Sequence, residues 1–246
     1  MALQEEFESL GNRFFRWRSY LPLFMAMLFL AALLSQPGAA SPDHPDRPWQ
    51  TGCLLVSLAG LGFRFFTVGF APRGTSGRNT RGQVADTLNT TGIYSVVRNP
   101  LYLGNFLIWL GLSLFIQVWW CTVIVILCFI LFYERIIFAE EAFLRERFGA
   151  SFTDWTAITP AIIPNFKNWR APYLPFSWKS ALKREYSSWF ATITSFTVLA
   201  ILQDSLQNGR LMLARNWLVI FGCTLAIYLG VRTLKKKTQI LGTVDR

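Results

Sequence analysis

The chain has 246 residues, 52% of them apolar, 16% aromatic and only 15% charged, with a formal net charge of +10. That is too few charges for an ordinary soluble domain, which carries roughly 25%, so the composition predicts an all-α, polytopic integral membrane protein forming a single membrane domain over 1–246. The cations fall between apolar runs, where anionic headgroups and inside-facing loops attract Lys and Arg, which makes the membrane rather than nucleic acid the expected partner.

In chain order, apolar segments near 19–35, 50–70, 103–138, 187–203 and 213–231 are the candidate spans. The first follows Arg13, Arg16 and Arg18, lies far from the start and lacks a small-residue cleavage site, so it reads as a retained span rather than a removable leader. The 103–138 run would make a single helix of about 54 Å, nearly twice a hydrocarbon core of about 30 Å. A tight helical hairpin turning near Gln117 fits better, giving about six transmembrane helices. Composition alone leaves a single long helix open.

Lys and Arg set the expected orientation. Arg73, Arg78, Arg81 and Arg98 follow the second span, Lys167, Arg170, Lys179, Lys183 and Arg184 precede the fifth, and Arg232 with Lys235, Lys236 and Lys237 closes the sixth. Both termini are therefore expected to be cytoplasmic. The loop from Gln36 to Trp49, with Asp43 and Asp46, and the turn from Gln203 to Asn216 belong outside. Between the fourth and fifth spans, Pro160, Pro164, Pro172 and Pro175 break regular structure, and Trp169, Tyr173, Phe176, Trp178 and Tyr186 alternate with cations. That pattern suits an interfacial segment over 166–186, ahead of a C-terminal transmembrane pair over 187–233.

The chemistry available is narrow. Cys53, Cys121, Cys128 and Cys223 sit singly in apolar runs and read as core residues. The one histidine, His44, lies in a Pro/Asp-rich loop, so neither a multi-histidine metal site nor a Ser-His-Asp triad can be built, and no metal is expected. Two polar clusters flank the hairpin. Arg98, Asn99 and Tyr102 precede it, and Glu134, Arg135, Glu140 and Glu141 follow it. A hairpin returns the chain to one membrane depth and brings these clusters together, whereas a continuous helix holds them apart. Glu140 and Glu141 project about 100° apart on a helix, which suits two separate acceptors rather than a shared proton. Spacing alone equally allows a solvated helix end in which Glu141 pairs with Arg145.

The run Gly92-Ile93-Tyr94-Ser95-Val96-Val97-Arg98-Asn99-Pro100-Leu101-Tyr102-Leu103-Gly104-Asn105, followed by the block from Phe132-Tyr133-Glu134 through Glu140-Glu141 to Phe148-Gly149, resembles the isoprenylcysteine carboxyl methyltransferase and phospholipid methyltransferase superfamily over roughly residues 88–165. The resemblance implies an S-adenosylmethionine-dependent methyltransferase whose donor-binding core spans 88–165. Arg98, Pro100, Tyr102 and Gly104 match the first family block, and Glu140 and Glu141 the second. Asn99 departs from the family histidine. It keeps hydrogen-bonding capacity but not a titrating imidazole. The stretch from Gly77 to Gly92 also resembles a bacterial branch that methylates lipid A phosphate, which would place the protein in a bacterial cell (inner) membrane.

The expected cofactor is thus S-adenosylmethionine, held by Arg98, Asn99, Pro100, Tyr102, Gly104, Glu140 and Glu141. The expected substrate is a phosphate or carboxylate on a lipid or lipid-anchored group at the cytoplasmic face. Arg98, Glu140 and Arg64 are the candidate catalytic residues. Arg64 lies inside the second apolar run, where it either snorkels or clamps an anionic headgroup, with Arg78, Arg81 and Arg135 as competitors. Tyr94 and Asn105 serve equally as packing or ligand-facing residues, and Gly104 with Gly111 also suits close helix contact. Two alternatives stay open. One is an NADPH-dependent membrane lipid or sterol-type reductase, because sterol reductases share this superfamily's motif. The other is a non-catalytic membrane protein that keeps the fold.

Overall fold

The computed structural model describes residues 3–35, 47–72 and 83–238. His44, Asp43, Asp46, Arg73, Arg78, Arg81 and the first part of the Gly77–Gly92 stretch lie outside them. The described residues are helical throughout, apart from loops and one isolated antiparallel bridge between Gly92 and Arg170. In order, the helices are α1 (Leu3–Trp17), α2 (Leu21–Leu34), α3 (Arg47–Phe70), α4 (Ile93–Val96), α5 (Pro100–Phe115), α6 (Trp119–Phe148), α7 (Ala150–Ile158), α8 (Trp178–Asn208) and α9 (Arg215–Lys237).

Four of these, α3, α6, α8 and α9, are individually long and apolar enough to cross a membrane. The pair α1 and α2, bent by 79°, passes only when taken together, and α5 is a shorter apolar helix. Apolar helices therefore occupy all six expected places, though two fall short of a full crossing by length.

The hairpin is present. α5 ends at Phe115 and α6 begins at Trp119, with Gln117 at φ 61° making the reversal. A left-handed backbone costs a residue with a side chain roughly 1–2 kcal/mol, and the packing of the two arms must hold it there. Phe106 against Phe129 (5.3 Å) and Tyr102 against Tyr133 (4.7 Å) do so.

Close approach between helices depends on small residues. α3 and α5 run antiparallel with Gly60 facing Gly104 and Ser57 facing Gly111, and Ser57 Oγ donates to Ile108 O at 3.0 Å. A Cβ at Gly104 would lie 2.9 Å from Gly60 O. Without a hydrophobic driving force between helices in lipid, such contacts supply the packing. At the hairpin-tip end, Phe196 stacks on Trp217 with Phe115 edge-on to both, tying α5, α8 and α9 together. Helix α1 was not among the expected elements. It lies on α6 with Gly11 against Arg135 O and Ala139, and with Phe14 stacked on Phe132.

The stretch expected to be interfacial, 166–186, includes the first turns of α8. α8 already begins at Trp178, because Ser177 caps it by accepting from Ser180 N. Before it, residues 159–177 form a strap that lies back on the chain entering α5. Arg98 N donates to Pro160 O, Asn165 N to Val96 O, Gly92 N to Arg170 O, and Arg170 N to Ser95 Oγ, all at 2.9–3.0 Å. Ile163, Phe166 and Tyr173 stand exposed on its outer side. Cys53 and Cys121 are buried as expected, whereas Cys223 is exposed on α9.

Candidate active site

Pro100 starts α5, its fixed φ and missing N–H being suited to a first helical position. That start places Tyr102, Asn105 and Trp109 along one face. On α6, Tyr133, Glu140 and Leu144 fall on one face at spacings of seven and four. The hairpin turns these two faces toward each other across a cavity of about 760 Å³, within the range of about 300–1,000 Å³ usual for small-molecule sites. α3 contributes Arg64 and Val68 to its wall, α8 contributes Arg184, Glu185 and Ala191, and the α1–α2 bend contributes Arg18 and Leu21.

The two polar clusters meet there. Tyr102 Oη donates to Glu140 Oε1 at 2.9 Å. Arg98 Nε lies 3.2 Å from Glu141 Oε1 as an ion pair, with both side chains largely buried. Yet the alignment makes no hydrogen bond, so both buried atoms remain orphaned. Buried polar atoms without partners are rare and point to a ligand, water or functional strain. Asn99 Nδ2 donates to Ala161 O at 3.1 Å, which ties the position occupied by histidine in the family to the strap. Tyr94, below the loop, has its carbonyl held by Trp155 Nε1 at 3.0 Å, and burial pushes its phenol up to about 12. It is therefore a neutral donor at physiological pH.

Not every expected residue faces the cavity. Arg98, Asn99, Pro100, Tyr102, Glu140 and Arg64 line it, whereas Glu141 stands behind Arg98 and Gly104 is turned to α3. Arg64 is fully engaged. Its Nε and Nη2 donate to the two oxygens of Glu185 at 2.9 and 2.8 Å, and its Nη1 donates to Asn105 Oδ1 at 2.6 Å. An anionic headgroup would compete with Glu185 for this guanidinium. Arg135 is turned away, with its guanidinium 3.5 Å over the Phe7 ring and 3.8 Å from Glu134. Glu185, Arg18 and Arg184 are the cavity residues that sequence reasoning passed over. Glu185 was hidden in a cationic stretch, and its one signal was an acidic residue inside an otherwise basic, apolar helix start.

The chemistry of the wall fits S-adenosylmethionine. A buried carboxylate suits a sulfonium or ammonium, the Arg98 guanidinium suits a carboxylate, and Tyr102, Tyr133 and Trp109 offer aromatic walls.

Residues 54–151 match the phospholipid methyltransferase family, consistent with the superfamily resemblance seen in the two sequence blocks. The cobalt-zinc-cadmium resistance protein CzcN of Cupriavidus metallidurans is 32% identical over 145 residues, covering 58% of this chain and 58% of CzcN. The nickel-cobalt-cadmium resistance protein NccN of Alcaligenes xylosoxydans xylosoxydans is 32% identical over 126 residues, covering 51% of this chain and 57% of NccN. The chain thus spans less than two thirds of the length of either relative. No solved structure matches.

Proposed function

We propose that this multi-pass membrane protein, which shares residues 54–151 with the phospholipid methyltransferase family, transfers a methyl group from S-adenosylmethionine to a phosphate or carboxylate on a lipid or lipid-anchored substrate. The observation that carries the reading is the convergence of Tyr102–Glu140 and Arg98–Glu141 from the two hairpin arms at one polar cavity. The donor-binding core is proposed at 88–165, as in the superfamily. When bound, S-adenosylmethionine supplies a methyl group already activated by positive sulfur. In this reading Glu140 holds the donor's positive end, Arg98 and Asn99 hold its carboxylate, and Glu141 keeps the Arg98 guanidinium oriented. Tyr102 fixes the Glu140 carboxylate, and the Tyr102–Tyr133 ring pair walls the site against water.

An anionic oxygen is already a nucleophile, so the protein's task is to hold donor and acceptor in line rather than to remove a proton. The apolar stretch of the cavity wall, Leu21, Val68, Trp109 and Ala191, lies between helices and suits a lipid acceptor. Arg184 of the cavity wall follows Lys183, whose O accepts from Lys235 Nζ at 3.4 Å, so the cavity lies near the bundle end where α9 finishes in Lys235, Lys236 and Lys237. By the inside-positive bias this end faces the cytoplasm. The metal-resistance names of the two relatives are compatible with this chemistry. Methylating a phosphate removes a negative charge from a surface that divalent cations screen.

The test is to incubate the purified protein with methyl-deuterated donor and a membrane lipid extract, then follow the lipids by mass spectrometry. A deuteromethyl group on an acidic lipid, absent with the Glu140→Gln variant, supports the proposal. NADPH oxidation without methyl incorporation would move the case to a reductase, and neither reaction would favour a non-catalytic role.

A further inference from the structure

Arg64 lies inside an apolar helix, where an unbalanced guanidinium is costly. It is balanced from outside the family-matching region by Glu185 on α8, 2% exposed and bonded through both oxygens. Gly104 makes the room, since a Cβ there would meet the Arg64 stem. Among the described residues the cavity wall carries Arg18, Arg64, Arg98 and Arg184 against Glu140 and Glu185. Removing the Glu185 charge leaves Arg64 without its counter-ion at the cavity wall. A cationic ligand would then meet a repulsive wall, while a neutral ligand of the same shape would not.

We infer that Glu185 is a specificity-determining residue of this site: by neutralising Arg64 it lets the cavity favour a positively charged donor over its neutral, demethylated product. The inference rests on the donor reading above. Glu185 acts through Arg64 and through the field of the wall rather than by contact with the methyl group. Arg64 in turn holds Asn105, one turn from Tyr102, so the pair also fixes the face of α5 on which the Tyr102–Glu140 bond is built. A unit charge about 10 Å away at an effective dielectric of about 20 changes an equilibrium roughly tenfold.

The experiment compares binding of S-adenosylmethionine and S-adenosylhomocysteine, by calorimetry on the full chain in detergent, for wild type, Glu185→Gln, Arg64→Met and the double variant Arg64→Met/Glu185→Met. The cationic-to-neutral affinity ratio is expected to fall roughly tenfold in Glu185→Gln, to rise in Arg64→Met, and to return to the wild-type value in the double variant. Should Glu185→Gln not fold, the rise in Arg64→Met carries the test. A mere loosening of structure would lower both affinities together and leave the ratio unchanged in both single variants, and that result would overturn the inference. Wild-type protein that binds neither compound would instead sink the donor reading, and this inference with it.

Discussion

Gly104 is the position at which the family resemblance and the structure lead to different experiments. The resemblance puts it among the donor-binding residues, whereas the structure turns it to α3, with a Cβ landing on the Arg64 stem and 2.9 Å from Gly60 O. In Gly104→Ala the added Cβ meets both the Arg64 stem and the Gly60 backbone oxygen, so α3 and α5 must move apart. Overpacking of that kind costs about 1–3 kcal/mol, against a helix-propensity gain of about 1 kcal/mol for replacing glycine. The net loss is about 1 kcal/mol, a fall in Tm of about 3 °C for a chain this long. Gly62 on α3 has nothing within 4 Å of its missing Cβ, so Gly62→Ala gains the propensity without the clash and should raise Tm by about 3 °C. Thermal unfolding of both variants in detergent, followed by tryptophan fluorescence, reads both signs. A Gly104→Ala protein as stable as wild type but unable to bind donor would refute the packing argument and return Gly104 to the ligand site.

Tyr102→Phe removes the donor to Glu140 Oε1 while keeping the ring against Tyr133, so the lost bond to a buried carboxylate should weaken donor binding roughly tenfold without shifting Tm by more than a few degrees. Affinity equal to wild type in a titration would separate Glu140 from Tyr102. Gln117 sits at φ 61°, so Gln117→Gly should stabilise the hairpin by about 1 kcal/mol and Gln117→Val should destabilise it; the reverse order in thermal unfolding would contradict the turn geometry. Burial holds the Tyr94 phenol up at about 12, above its ordinary value near 10, so the folded state keeps a proton that the unfolded chain loses. The stability tied to Tyr94 is therefore present below about pH 10 and lost as pH rises toward about 12, and Tyr94→Phe should show less alkaline loss than wild type in a pH series of unfolding midpoints.

The hairpin was legible because a largely apolar run of 36 residues cannot cross one bilayer as a single helix and because polar clusters stood at both ends of the run. α1 was not, although Leu3, Phe7, Leu10 and Phe14 form an apolar stripe at helical spacing, because the charges on its other face keep it from reading as a span; it is held by Gly11 against α6. The helical start at Trp178 was not legible in the aromatic and cationic residues at 178–186, and it is set by the Ser177 cap. The polar half of the cavity could be read from two motifs near in space once the hairpin was granted. Glu185 could not. Its partner Arg64 lies 121 positions earlier, and only the packing of α3 on α8 shows that one charge answers the other.

The central claim is that the cavity between the hairpin arms holds the methyl donor through Glu140 and Tyr102. Calorimetric titration of S-adenosylmethionine and, separately, NADPH into detergent-purified wild type and Glu140→Gln tests it most directly. The account predicts saturable binding of S-adenosylmethionine to wild type, strongly weakened in Glu140→Gln, and no comparable binding of NADPH. Binding of NADPH alone, or S-adenosylmethionine affinity unchanged in Glu140→Gln, would contradict it.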